Sequence, residues 1–260
     1  MSDPTTTVRL CHLYPGEMNI YADRGNIAVL RRRLEWRGLS LEVTEAGIGA
    51  PVTPGEHDLY YLGGGQDRDQ ALVADDMART KGPALVSAVE DGAAFLAVCG
   101  GYQLAGRGYV GVDGSAMPGI GLLDAETVAG GTRLIGDVLI EATLDGATRE
   151  VAGFENHAGR TLLGAGATPL GTVVAGHGND GASGAEGVVR LRAIGTYLHG
   201  PLLPKNPWVA DTLLGWALAH RTGDEIALAP LDDSLEDAAR AVARGRALGE
   251  RSERLIGRRA

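Results

Sequence analysis

Apolar positions recur along the first hundred residues in two alternating rhythms. Residues 8–14 form a short apolar run that predicts a strand, and after Gly16 the residues Ile27, Leu30 and Leu34 repeat at helical spacing within 26–36, with Arg31, Arg32 and Arg33 on other faces. Strands are predicted at 41–43 and 58–62, the latter ending in Gly63-Gly64-Gly65. Helical patterns follow at 68–80 and 84–90, and 93–98 is small and continuously apolar, as in a strand buried on both faces. Strands alternating with helices predict an α/β fold with a doubly wound, mostly parallel sheet flanked by helices, in which chemistry collects where strands end.

The second half reads differently. Strand-like runs lie at 134–142, 171–174, 188–191 and 193–197; helices are predicted at 206–220, with Pro207 near the first position, and at 233–256. The glycine-rich stretch 176–187 reads as a mobile surface loop. No repeat or linker divides the chain. Residues 1–230 are therefore expected to form one domain, with 231–260 as a C-terminal helical extension.

Charge and composition narrow the function. A net charge of -9 and a pI near 5.2 argue against nucleic-acid or anionic membrane surfaces, which reward clustered Lys and Arg. The basic run 240–259 alternates with Glu and Leu, as on a solvated helical face or a docking element. No membrane span or signal peptide is evident, so a cytoplasmic location is expected. Two cysteines, Cys11 and Cys99, make neither a disulfide framework nor a cysteine-based zinc site, and no metal site is expected.

The segment Val98-Cys99-Gly100-Gly101-Tyr102-Gln103-Leu104 places a cysteine between a buried strand and a predicted helix. This is the outline of a nucleophile elbow, where glycines relieve the crowding of a sharp turn and a helix start favours the reactive thiolate. Read alone, Cys99 fits equally a small buried hydrophobe. The Gly63-Gly64-Gly65 triplet ends a neighbouring strand and, with Gly100, could supply oxyanion-binding N–H groups; it also fits a plain glycine-rich turn. Neither nucleotide-binding glycine motif is present. Of six histidines, His199 ends a predicted core strand and is the first choice as base. His157 in Phe154-Glu155-Asn156-His157 is the runner-up, and His57, His177 and His220 read as surface residues.

Taken in order, these motifs resemble the class I glutamine amidotransferases, in the cobyric-acid-synthase-like branch, and most of all the glutaminase subunits of lipid II isoglutaminyl synthase. The resemblance is carried by Asn19-Ile20-Tyr21-Ala22-Asp23-Arg24-Gly25-Asn26, Gly63-Gly64-Gly65-Gln66-Asp67-Arg68, the Cys99 segment, Arg133-Leu134-Ile135-Gly136-Asp137, Gly153-Phe154-Glu155-Asn156-His157 and Gly195-Thr196-Tyr197-Leu198-His199-Gly200-Pro201. It implies a flavodoxin-like fold, Cys99 as nucleophile, His199 as general base, Arg133 as a glutamine-binding residue, and Gly64, Gly65 and Gly100 as oxyanion-hole contributors. It also implies no cofactor in this chain; ATP and Mg belong to a Mur-ligase-like partner, MurT, that amidates the D-glutamate α-carboxyl of lipid II with ammonia from L-glutamine.

One position departs from many class I glutaminases. The glutamate expected two residues after the histidine is Pro201. A third group must come from Glu155, from a carboxylate of the partner, which is the preferred source, or be absent. Other functions are a glutaminase for a corrinoid carboxylate, whose relatives place a synthetase domain ahead of the glutaminase, a non-catalytic docking subunit, and a cysteine peptidase.

Overall fold

The computed structural model describes residues 7–19 and 24–250. Residues 20–23 of the Asn19-to-Asn26 motif, and the end of the predicted 233–256 helix, lie outside them. The first sheet has the order β11-β12-β4-β3-β1-β2, built from β1 (Thr7–Leu13), β2 (Ser40–Ala46), β3 (Leu59–Leu62), β4 (Ala94–Val98), β11 (Val188–Arg190) and β12 (Ala193–Thr196). All neighbours are parallel except β11 and β12. Every residue of β3, β4 and β12 is buried, so these strands read as unbroken apolar or small runs and not as alternating ones.

The helices are α1 (Arg24–Glu35), α2 (Asp67–Asp76), α3 (Gly82–Glu90), α4 (Gly100–Ala105), α5 (Pro207–Thr222) and α6 (Ser234–Ala247), with a π-helical turn, Met77–Lys81, between α2 and α3. Pro207 opens α5, and Gly223, at φ 82°, closes it in the left-handed conformation that favours glycine. In α1 the buried stripe is Ile27, Leu30 and Leu34, as its spacing predicts. Arg33 corrects the pattern. It is buried, because its guanidinium bonds Asp211 on α5 and Asp233 at the start of α6.

The second half of the chain forms a further sheet that periodicity only glimpsed. Its order is β10-β9-β7-β5-β6, with β8 also on β7, and all but the β5–β7 pair are antiparallel. Here β5 is Gly108–Val110, β6 Ala116–Pro118, β7 Ala125–Leu144, β8 Ala147–Leu163, β9 Gly171–Ala175 and β10 Ala185–Glu186. The β7–β8 hairpin is far longer than the predicted run at 134–142, because Gly130, Gly131 and the polar residues around them interrupt the apolar signal without ending the ladder; its register slips between Ala129 and Leu134.

The glycine-rich segment 176–187 is also corrected. Asn179 is fully buried and exchanges hydrogen bonds with Gly187, while Asp180 accepts from Ala182 and Ser183. It is a tied-down loop, built by side-chain-to-backbone bonds that hydropathy does not register. Helix α6 lies on the second sheet, with Ala243 against Leu139 and Ala152, and Arg244 on Glu150. Among the described residues no helix is long and apolar enough to cross a membrane.

Candidate active site

The sequence around Cys99 folds as an elbow because every neighbour forces it. Strand β4 ends at Val98, the Cys99 N–H donates to Thr196 O on β12 at 2.8 Å, and α4 starts at the next residue. Cys99 therefore sits at φ 52°, ψ −111°, a conformation costly for any residue with a Cβ. The two glycines behind it have steric roles. A Cβ on Gly101 would lie 2.6 Å from Leu62 O and 2.7 Å from Gly63 O, and one on Gly100 would lie 2.9 Å from Gly65 O and from the Gln70 carboxamide. Helix α4 can approach the end of β3 only with hydrogens at both positions, which brings Gly63 to Gly65 directly against the elbow.

Cys99 lies on a cavity of about 430 Å³ lined by Gly65, Gln66, Asp67, Arg68, Gln70, Cys99, Gln103, Arg133, Asn156, His157, Ala158 and Gly159. The sulfur-bearing residue is 6% exposed and lines this opening. Arg133 arrives from β7, within the slipped register between Ala129 and Leu134. Its Nε donates to Asn156 Oδ1 at 2.9 Å and one terminal nitrogen to Asn156 O at 2.8 Å, which fixes the guanidinium at the mouth.

His199 follows β12 on the same sheet edge as Cys99, since Thr196 and Val98 are register partners in parallel strands. Its backbone forms an antiparallel bridge with Phe154 of β8, with N···O distances of 3.0 and 3.2 Å, and the two rings meet edge to face at 6.2 Å. The hairpin thus holds the histidine. Burial first, then the charges of His157, Lys205 and Arg133, push the His199 pKa down to about 4, with Glu155 opposing. It is neutral at pH 7, as a base must be.

Not every expected residue lines the cavity. Gly65, Cys99, Arg133 and His157 do; Gly64, Gly100 and His199 stand outside its lining. His157, the runner-up base, is stacked flat on Tyr197 with centroids 3.5 Å apart, and its Nδ1 is 2.9 Å from Gly159 O. Tyr197 is held in turn through its hydroxyl by Gln103 and Thr161. Glu155 is buried, accepts from His177 Nδ1 and from the His177 and Gly178 N–H groups, and has its second oxygen 3.8 Å from His157 Nε2, so its carboxylate both closes the 177–178 turn and faces His157. His177 is exposed, as its context predicts, and its ring in addition bonds Glu155. His220 is likewise tied to buried Asp58.

Gln70 and Gln103 are the site residues that sequence reasoning passed over. Gln103 stands one helical turn after Cys99 and Gln70 one turn after Gln66, a spacing that gains meaning only once both helices are known to start at this rim.

A doubly wound sheet that bears a strained cysteine between a buried strand and a glycine-led helix, over a small polar cavity, defines an α/β protein with a cysteine nucleophile elbow. More specifically, the CobB/CobQ-like glutamine amidotransferase domain matches residues 9–207, and the chain belongs to that family. The family and fold expected from the motifs are borne out. The chain is 39% identical to the lipid II isoglutaminyl synthase (glutamine-hydrolyzing) subunit GatD of Staphylococcus aureus (strain N315), over 94% of this chain and 97% of that protein. It is 35% identical to the GatD subunit of Streptococcus pneumoniae (strain ATCC BAA-255 / R6), over 88% and 87%. Among solved structures, PurLQS from Thermotoga maritima superposes with a TM-score of 0.53 at 17% identity, covering 82% of this chain and 96% of the matched one, which speaks for the fold.

Proposed function

We propose that this chain is the glutaminase subunit of a lipid II isoglutaminyl synthase. The observation that carries the proposal is the cavity that joins strained Cys99 to Arg133, in a chain similar to GatD over almost its whole length. L-glutamine enters with its α-carboxylate on the Arg133 guanidinium. His199 takes the thiol proton of Cys99, the thiolate attacks the side-chain amide carbon, and the resulting oxyanion is stabilised by backbone N–H groups of Gly64, Gly65 and Gly100. The intermediate collapses to a thioester as His199 gives a proton to the departing ammonia. His199 then takes a proton from water, which cleaves the thioester to glutamate and restores the thiol.

Ammonia passes to a Mur-ligase-like partner, MurT, which holds ATP and Mg and amidates the D-glutamate α-carboxyl of lipid II on the cytoplasmic side. Residues 1–230 form the amidotransferase unit in this scheme, and 231–260 its helical extension. The third group of the catalytic set comes from a partner carboxylate. The fact that supports that source is Pro201, which occupies the usual acidic position.

The test is glutamate release from glutamine by the chain with its synthetase partner. Cys99→Ser and His199→Ala are expected to lower it by about a thousandfold or more, and ammonium chloride to restore amidation of lipid II. Amidation that ammonia cannot rescue would assign both residues to folding or docking.

A further inference from the structure

Most polar groups around the cavity are already engaged. Arg133 holds Asn156, Gln103 holds Tyr197, and the Gly159 carbonyl accepts from His157 and Arg160. Gln70 differs. It projects from α2, is only 2% exposed, and lines the cavity beside Cys99. The two arms of an amide are interchangeable in shape, but a neighbour can tell them apart. Gly65 O can only accept, so the arm 3.2 Å from it is the NH₂ group. The other arm is therefore the oxygen, and Gln70 Oε1 is buried with no hydrogen-bond partner. Buried acceptors are almost always paired, so one left over on a side chain that lines the cavity points to a donor that arrives with a ligand.

Position says which donor. A Cβ on Gly100 would sit 2.9 Å from both Cδ and Nε2 of Gln70, so this carboxamide rests directly on the backbone of the elbow. Under the glutaminase reading, on which this inference depends, the group delivered to that place is a primary amide. Its carbonyl turns to N–H donors and its NH₂ presents two hydrogens that need acceptors. We infer that Gln70 Oε1 accepts an N–H of the glutamine side-chain amide and is the residue that distinguishes the amide from the acid. Glutamate brings no N–H to this place. Its carboxylate sets an oxygen lone pair against Oε1, so the same contact that holds the substrate expels the product.

The measurement is the ratio of kcat/KM for L-glutamine to that for the γ-methyl ester of L-glutamate, which keeps the acyl carbon and has no N–H at the γ position. Both are assayed on the full chain with its synthetase partner. Gln70→Met keeps the length of the side chain and removes the acceptor. It is expected to lower kcat/KM for glutamine by about tenfold or more while changing that for the ester by less than about twofold, and to tighten inhibition by glutamate. Gln70→Ala, checked like the first variant for native circular dichroism, is expected to collapse the ratio in the same way. An equal loss on both substrates would overturn the inference and leave Gln70 as a support for the elbow. Wild-type chain that hydrolyses glutamine while both variants keep its amide-to-ester ratio would overturn the role of Gln70 alone. Wild-type chain that hydrolyses neither substrate would overturn the glutaminase reading and this inference with it.

Discussion

Two residues show how burial sets chemistry in this molecule. Cys99 holds a backbone conformation that costs about 1–3 kcal/mol, compensated by its bond to Thr196 and by the close fit of Gly100 and Gly101. Glu186 is the second. It is fully buried in β10, where the Tyr197 N–H and the Thr196 hydroxyl donate to its carboxyl. Burial is the largest influence on it and pushes its pKa up to about 8, against 4.5 for an ordinary glutamate. Below pH 4.5 the folded and unfolded chains both carry the proton. Between pH 4.5 and 8 the unfolded chain releases it while the folded chain keeps it, so stability falls as pH rises through this window. Glu186→Gln removes the dependence. The variant is expected to match the wild type near pH 4 and to exceed it by about 4 kcal/mol at pH 8 in urea denaturation; a gap that does not grow with pH would show that Glu186 is ionised when folded. The position of Glu186 beside Tyr197 gives it a link to the site, because Tyr197 carries the His157 ring. Nothing in the pattern around Ala185-Glu186-Gly187 marks a buried acid, since its partners lie about ten residues further on.

At the scale of elements, the site is the meeting of β3, β4, β12 and the β7–β8 hairpin. The first three were legible. Their apolar runs are short and continuous, and each leads to a glycine or chemistry-bearing residue at the rim, so Cys99 and His199 are both marked at strand ends by the sequence, while the parallel pairing of β4 and β12 puts them on one edge. The hairpin was not legible beyond its middle. Arg133 sits where the ladder slips, and such a slip depends on the partner strand, which local periodicity does not contain. The glycine pair behind the cysteine was read as relief for a tight turn. Its larger role is the approach of α4 to the end of β3, and that yields a prediction. Gly101→Ala drives a methyl group into two backbone carbonyls that cannot rotate away. It is expected to cost about 3 kcal/mol in thermal or urea unfolding and to abolish Cys99-dependent glutamine hydrolysis. A stable, active Gly101→Ala chain would mean that α4 can slide and that the elbow tolerates it.

Across the whole molecule, the binding of distant parts rests on a few buried charges as much as on the core. Arg33 is 1% exposed and bridges Asp211 on α5 to Asp233 ahead of α6, which joins the helical extension to the first helix of the chain. Removing the guanidinium leaves two half-buried carboxylates to be shared by Arg37 and water. Arg33→Met is accordingly expected to lower stability by about 3 kcal/mol and to speed amide exchange in α6 before the rest of the protein; uniform exchange would show that α6 is held by its contacts with Leu139 and Ala152 instead. This cluster also marks the boundary between what sequence and tertiary structure each contribute. From sequence came the alternating strands and helices of the parallel sheet, the cysteine elbow, and the motifs that set its family, because these depend on residues close together in the chain: period, turn chemistry, spacing. Only the fold determined that Arg33 is buried, that 176–187 is fastened down, that Glu155 closes a turn, and that His157 and Gln70 join Arg133 around Cys99. The bonds within 176–187 are local but made by side chains to backbone, which hydropathy does not register; the other outcomes depend on groups tens to hundreds of residues apart, and a contact made across the fold leaves no period along the chain.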